Sequence, residues 1–196
     1  MTGADHVWGV NHARPSDADR VVGAARAVSG DGPVVIAVDG RAGAGKSSLA
    51  QLVAARLDDV ASVHLDDLFP GWDGLAAAPA LLTAQVLVPL ARDEPATFRR
   101  YDWVEGAYAE AVSVPRRRFV VVEGCGCSVG IARPYADVRV WVDAAPATRM
   151  RRGLTRDGDE FGPNWQRWAE QEDALFAADR TAEHAHVVVR TDEEVA

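Results

Sequence analysis

The chain has 196 residues, 48% apolar and 26% charged, the balance of an ordinary globular protein with one domain and its own core. Its formal charge of −8 argues against nucleic acid or an anionic membrane surface as a partner. No run approaches the roughly 20 apolar residues of a membrane span, and the first residues lack the basic and apolar stretches of a signal peptide, so a cytoplasmic setting is expected.

Residues 1–32 read as an N-terminal extension. It is expected to be irregular and mobile to about residue 14, then helical from Pro15 to Val28, where Gly30-Asp31-Gly32-Pro33 ends the helix. Residues 33–196 read as the main domain. Its first element is the apolar strand 34–39, which runs into Gly40-Arg41-Ala42-Gly43-Ala44-Gly45-Lys46-Ser47-Ser48 and then into residues of helical spacing at 45–57. Strand, G-x-x-x-x-G-K-[ST] and helix in that order mark a phosphate-binding loop. The glycines let backbone N–H groups turn inward around phosphate oxygens, and the helix points its positive end at them. Lys46 is the only lysine among 21 basic residues. A compact ammonium reaches between β- and γ-phosphates where a broad guanidinium fits poorly. Ser47 supplies a hydroxyl to a Mg²⁺ ion.

A second strand at 61–65 ends in Asp66-Asp67-Leu68-Phe69. A carboxylate at that point, across from the phosphate loop, is placed to take the proton of an attacking hydroxyl. A helix at 79–92, bent or interrupted at Pro89, follows. Arg116-Arg117-Arg118 reads as a solvated entrance to the third strand, 119–122, which ends in Glu123, an acid suited to hold Mg²⁺ directly or through water. Cys125 and Cys127 are too close for a routine disulfide and read as small buried side chains of a reduced protein.

The fourth strand, 138–142, leads to helices at 146–156 and 164–178, and the fifth strand is 186–189. Arg149, Arg152 and Arg156 share a helical face. With Gly153, Gly158 and Gly162 nearby, they read as an arginine-bearing lid that reaches phosphates and excludes water. Short apolar strands alternating with helices predict a three-layer α/β P-loop NTPase fold, with a five-stranded parallel sheet and helices on both faces. Ligands of such sheets bind beyond the carboxyl ends of the strands.

On these residues the chain resembles the P-loop small-molecule kinases of the uridine kinase, nicotinamide riboside kinase and phosphoribulokinase group, from about Val34 to Thr191. The resemblance implies ATP as phosphate donor, Mg²⁺ as cofactor and Asp66 as catalytic base, with Asp67 beside it at the acceptor. It implies further that Trp72-Asp73 matches an aromatic-Asp pair that binds ribose hydroxyls, and that Tyr101-Asp102-Trp103 matches a Tyr-Asp-Phe segment of the acceptor site. Glu123 then corresponds to the metal-associated acid, and Arg152 and Arg156 to catalytic arginines of the lid. Where uridine kinases carry a base-recognising histidine, this chain has Val104-Glu105-Gly106, which argues against uridine itself.

The implied activity is transfer of the γ-phosphate of ATP to a hydroxyl of a nucleoside-like small molecule. The phosphate loop is also similar to that of cytidylate kinases, which keeps a nucleoside monophosphate kinase as an alternative. The Asp-Asp-aromatic element favours an alcohol, since an alcohol needs a base and a phosphate acceptor is already an anion. A regulatory GTPase would need a second lysine in an Asn-Lys-x-Asp element, and a transporter ATPase a Leu-Ser-Gly-Gly-Gln-like signature; both are absent. A non-catalytic ATP-binding scaffold is the remaining rival. The acceptor and the oligomeric state stay open.

Overall fold

A computed structural model describes residues 13–192, the side chains of residues 156–161 excepted. In chain order the elements are α1 (Pro15–Arg26), β1 (Val34–Gly40), α2 (Lys46–Ala54) and β2 (Val60–His64), followed by α3 (Ala78–Leu82) and α4 (Val88–Ala91). Then come β3 (Ala96–Asp102), β4 (Ala107–Val114), β5 (Phe119–Glu123), β6 (Val138–Asp143), α5 (Pro146–Asp179) and β7 (Val187–Arg190).

The five apolar strands expected from the sequence form one parallel sheet in the order β2-β5-β1-β6-β7. β1 lies at its centre and is buried at every position, which is why its residues read as an unbroken apolar run. Side chains alternate across the sheet. Val34, Ile36 and Val38 face Val21 and Val22 of α1 and Leu49 and Val53 of α2. Val35 and Ala37 face the other layer, built from Leu82, Val86, Trp168 and Phe176. Each such side chain taken fully out of water contributes about 1.5–3 kcal/mol relative to exposure. The helix expected within residues 1–32 is α1, and its Ala18, Val21, Val22 and Ala25 are buried in the same core as β1 and α2. Most of the irregular start, residues 1–12, lies outside the described residues.

Three differences from the sequence reading matter. The helix expected at 79–92 is α3 and α4 joined by a π-helical turn, Thr83–Leu87, so the irregularity falls one turn before Pro89. Thr83 Oγ1 bonds back to the Pro79 carbonyl (2.6 Å) in that segment. The two helices expected at 146–156 and 164–178 are one continuous helix, α5, with Pro163 inside it. Its ends are both anchored, by Arg149 at the start and by Trp168, Glu172 and Phe176 further on, all buried. The third difference is an element the sequence reading did not contain: β3 and β4 pair as an antiparallel hairpin outside the main sheet.

The crossovers out of β1 and β5 leave in opposite directions, toward β2 and toward β6. The gap between the carboxyl ends of β1 and β5 is therefore the switch point at which ligands of such sheets bind. Among the described residues no helix is long and apolar enough to cross a membrane.

Candidate active site

The phosphate loop lies at that switch point. Gly43 adopts φ 75°, and a Cβ there would fall 2.2 Å from the Arg149 carbonyl oxygen, so only glycine fits where the loop passes under α5. The first bond of α2 runs from Leu49 N–H to the Gly45 carbonyl (3.1 Å). The amides of Lys46, Ser47 and Ser48 thus precede the first helical hydrogen bond and face the mouth of the loop, a ready site for phosphate oxygens. Lys46 is buried, with Nζ donating to the Arg41 carbonyl (3.0 Å) and to Cys125 Sγ (3.4 Å). Burial works against its charge, but the carboxylates of Glu123, Glu172 and Asp66 around it prevail and hold the ammonium above the ordinary lysine pKa.

A buried polar network fixes the loop from both sides. Asp39, fully buried, accepts from Gly40 N–H (2.7 Å) and from Gly126 N–H, Ser128 N–H and Ser128 Oγ (2.8 Å each), tying the end of β1 to the loop after β5. Burial pushes its carboxyl pKa up against those bonds. From α5, Glu172 Oε1 accepts from Ala42 N–H (2.6 Å), Trp168 Nε1 (3.0 Å) and Cys125 Sγ (3.2 Å). Arg149 of the same helix donates to the Ala42 carbonyl (3.4 Å) and lies 3.6 Å from Glu172 Oε2. Both polar groups of the Ala42 backbone are held by one buried ion pair. Arg152 reaches the Gly43 carbonyl (3.5 Å) and holds Thr191 through its Oγ1 (2.9 Å) and carbonyl (2.5 Å). Arg149 and Arg152 therefore do share a face over the phosphate loop, while the side chain of Arg156 is outside the described residues.

Ser47 and Glu123, both read from the sequence as Mg²⁺ ligands, lie side by side: Ser47 Oγ is 3.2 Å from each carboxylate oxygen of Glu123. His64, which the sequence reading passed over, has Nδ1 2.8 Å from Glu123 Oε1. Burial raises the Glu123 pKa, but the His64 hydrogen bond and the Lys46 charge outweigh it, and the acid titrates below its usual range. The bond to Glu123 in turn raises the His64 pKa. A hydroxyl and an ionised carboxylate beside the phosphate loop form a hard-oxygen donor set, which suits Mg²⁺ with phosphate oxygens and water completing its shell. Burial pushes the thiols of Cys125 and Cys127 far up, so both are neutral here.

The region that the sequence assigned to an acceptor is more open. Asp66 and Asp67 end a single 3-10 turn, Leu65–Asp67, directly after β2; Asp66 is exposed and Asp67 half-buried, its pKa raised first by that burial. The hairpin leans over this turn: Trp103 Nε1 donates to the Asp66 carbonyl (2.8 Å) and Tyr108 Oη to the Leu68 carbonyl (3.1 Å). Trp72, Trp103 and Tyr101 stack edge to face, with centroids 5.1 Å and 5.5 Å apart, and Trp72 also meets Trp168 of α5. Asp73 is exposed and ion-paired with Arg167 of α5. Asp102 caps the hairpin turn, its Oδ1 accepting from Val104 N–H (2.9 Å) and Glu105 N–H (3.1 Å).

A cavity of about 430 Å³ lined by Asp31, Val35, Leu87, Arg116 and Tyr135 lies at the amino ends of β1 and β5, the opposite end of the sheet from these groups. The rule for parallel sheets puts chemistry at the carboxyl ends, so this cavity is not the active-site candidate. Three side chains that shape the site escaped the sequence reading: His64, Asp39 and Glu172. Asp39 alone left a signal, an acid at the end of a wholly apolar strand just before the loop.

Comparison of the sequence with family models gives no match, and comparison with curated proteins gives none. Solved structures do match. One described as a possible uridine kinase from Bacillus stearothermophilus superposes with a TM-score of 0.67 at 20% identity, over 89% of this chain and 97% of that one. D-glycerate 3-kinase from Cryptococcus neoformans matches with a TM-score of 0.57 at 14% identity, over 93% and 96%. At such identities the likeness speaks for architecture, and with the sheet order and the phosphate loop it leads to one conclusion: the chain has the three-layer α/β P-loop fold of these kinases.

Proposed function

We propose that the protein is an ATP-dependent, Mg²⁺-requiring phosphotransferase that moves the γ-phosphoryl group of ATP to a hydroxyl of a small, nucleoside-like molecule. The observation that carries this reading is the meeting of three parts at one switch point. Lys46 in the phosphate loop, the Ser47–Glu123 oxygen pair and the Asp66-Asp67 turn lie at the ends of three strands or their connections. Phosphoryl transfer asks the protein mainly for positioning and charge stabilisation, and these parts supply both.

The amides at the start of α2 bind phosphate oxygens, and Lys46 exchanges the Arg41 carbonyl for β- and γ-phosphate oxygens. Ser47 and Glu123 hold Mg²⁺, which neutralises charge on those phosphates when bound. Asp66 orients the acceptor hydroxyl and takes its proton. Arg152 and Arg156 act on the charge that develops at the transferred group. Trp72, Tyr101 and Trp103 form an aromatic wall for a planar ring, and Asp73 accepts hydrogen bonds from neighbouring hydroxyls of the acceptor. A neutral alcohol is favoured over a nucleoside monophosphate because the Asp66-Asp67 turn offers a base, which an alcohol needs and a phosphate acceptor, already an anion, does not.

The test is ADP formation from ATP and Mg²⁺ in the presence of a panel of nucleosides, vitamins and sugar alcohols. At least one acceptor is expected to accelerate ADP formation over the acceptor-free rate, and EDTA to abolish the acceleration. Nucleotide binding without acceptor-dependent turnover on any such panel would refute the reading in favour of an ATP-binding scaffold.

A further inference from the structure

We propose that His64 is a positioning residue for the Mg²⁺ site: it locks the Glu123 carboxylate so that one oxygen is committed to the protein and the other faces the metal position. This inference rests on the phosphotransferase reading above.

The argument begins with the sheet. β2 and β5 are parallel neighbours, and in their register His64 is the direct partner of Glu123. The two side chains are thus placed side by side by the backbone, whatever occupies the site; a slip of one residue would send His64 to the opposite face of the sheet. Glu123 is 5% exposed, and its contact with the His64 ring is the shorter: Nδ1 to Oε1 is 2.8 Å, against 3.2 Å from Ser47 Oγ to either oxygen. An ionised carboxylate only accepts, so the Nδ1 atom facing it carries the proton and donates.

The consequence follows from that asymmetry. Ser47 Oγ is equidistant from the two oxygens and cannot choose between them. His64 can, because its shorter bond occupies a lone pair of Oε1 alone and leaves Oε2 the freer oxygen for a cation. Partners that orient metal ligands from behind commonly matter nearly as much as the ligands. His64 also precedes the Asp66-Asp67 turn by two residues, so the same side chain fixes the acid at the metal to the segment that carries the proposed base.

The experiment measures ADP binding by calorimetry at stepped Mg²⁺ concentrations, without turnover, in the parent, His64→Ala and His64→Asn. The Asn side-chain nitrogen falls near the place of the histidine Nδ1 and can donate to Oε1. His64→Ala is expected to need about 10- to 100-fold more Mg²⁺ to reach the same ADP affinity, the usual cost of losing such a partner. ADP affinity in EDTA should match the parent, because no Mg²⁺ is then present, and a cooperative thermal transition shows that each variant is folded. His64→Asn should recover most of the Mg²⁺ response. A His64→Ala protein that titrates at the parent's Mg²⁺ concentration overturns the inference, and so does a His64→Asn protein as impaired as His64→Ala. If parent ADP affinity ignores Mg²⁺ altogether, the phosphotransferase reading falls first and takes the inference with it.

Discussion

The phosphate end and the acceptor end of this site are built to opposite standards. At the phosphate end the polar groups are buried and multiply bonded: Asp39, Lys46, Glu123, Arg149 and Glu172 are all sealed from solvent. They hold the loop in place through its own backbone, with Asp39 below and the Arg149–Glu172 pair above. At the acceptor end Asp66 and Asp73 are exposed, and the wall is a two-stranded hairpin outside the main sheet. Buried polar groups bonded to one another strengthen the network they form, which favours a single geometry, although Glu172 Oε2 is held only by its 3.6 Å ion pair with Arg149. Exposed acids and stacked rings tolerate rearrangement. Under the proposed function, the phosphates of the donor reward a rigid cradle, whereas an acceptor has to enter, be recognised and leave.

The comparison breaks most visibly at Lys46. Lys46→Ala removes the ammonium from both binding and the transition state, and kcat/KM for ATP should fall by more than roughly 10³ while the protein stays folded. Unchanged ATP affinity and turnover in a folded variant would remove the phosphate loop from the mechanism. Asp66→Asn, at the open end, keeps size and loses basicity. Its kcat is expected to drop by about 10² to 10⁴ with the KM for ATP nearly unchanged. Asp67→Asn should be milder, and the reverse ranking in steady-state kinetics would move the base to the half-buried acid.

Glu172 sharpens the contrast in stability. Glu172→Ala leaves the Ala42 amide and Trp168 Nε1 without their acceptor and Arg149 without its charge partner. Removing one member of a buried pair costs about 3–5 kcal/mol, read as a lowered denaturant midpoint, and ATP affinity should fall with it. A midpoint within error of the parent would mean that α5 does not brace the loop. Asp73→Ala, by contrast, breaks only an exposed ion pair and should leave the midpoint where it is. Its effect belongs to recognition: the KM of a diol-bearing acceptor should rise about tenfold or more, the value of hydrogen bonds to a charged group, and a ribonucleoside should outperform its 2′-deoxy counterpart. Equal use of the two by the parent would sink the diol reading.

Much of this architecture was legible in the amino-acid order. The five strands of the main sheet are short apolar runs bounded by breakers, and the glycine spacing around Lys46 announces the loop. The Ser47–Glu123 meeting was legible too, because a parallel sheet forces acids at strand ends toward one edge. The hairpin was not. Ala107–Val114 mixes three alanines with Glu110 and Ser113, and Ala96–Asp102 carries two arginines, so neither shows the unbroken apolar run of the main-sheet strands. The single helix α5 was also hidden, since Gly158, Gly162 and Pro163 read as a break.

What the sequence determined by itself was the local chemistry: a loop of glycines before a lysine, an acid after each of two apolar strands, arginines on one helical face. These follow from short-range spacing, which the chain carries wherever it goes. Only the tertiary structure decided the pairings between distant residues. Glu172 looks like any polar residue of an amphipathic helix until α5 is laid across the loop, 130 residues earlier in the chain, and its carboxylate meets the Ala42 amide. His64 looks like a strand end until the register of β2 and β5 sets it beside Glu123. Neither contact has a local pattern, because each depends on where whole elements come to rest when the apolar faces of the sheet are covered.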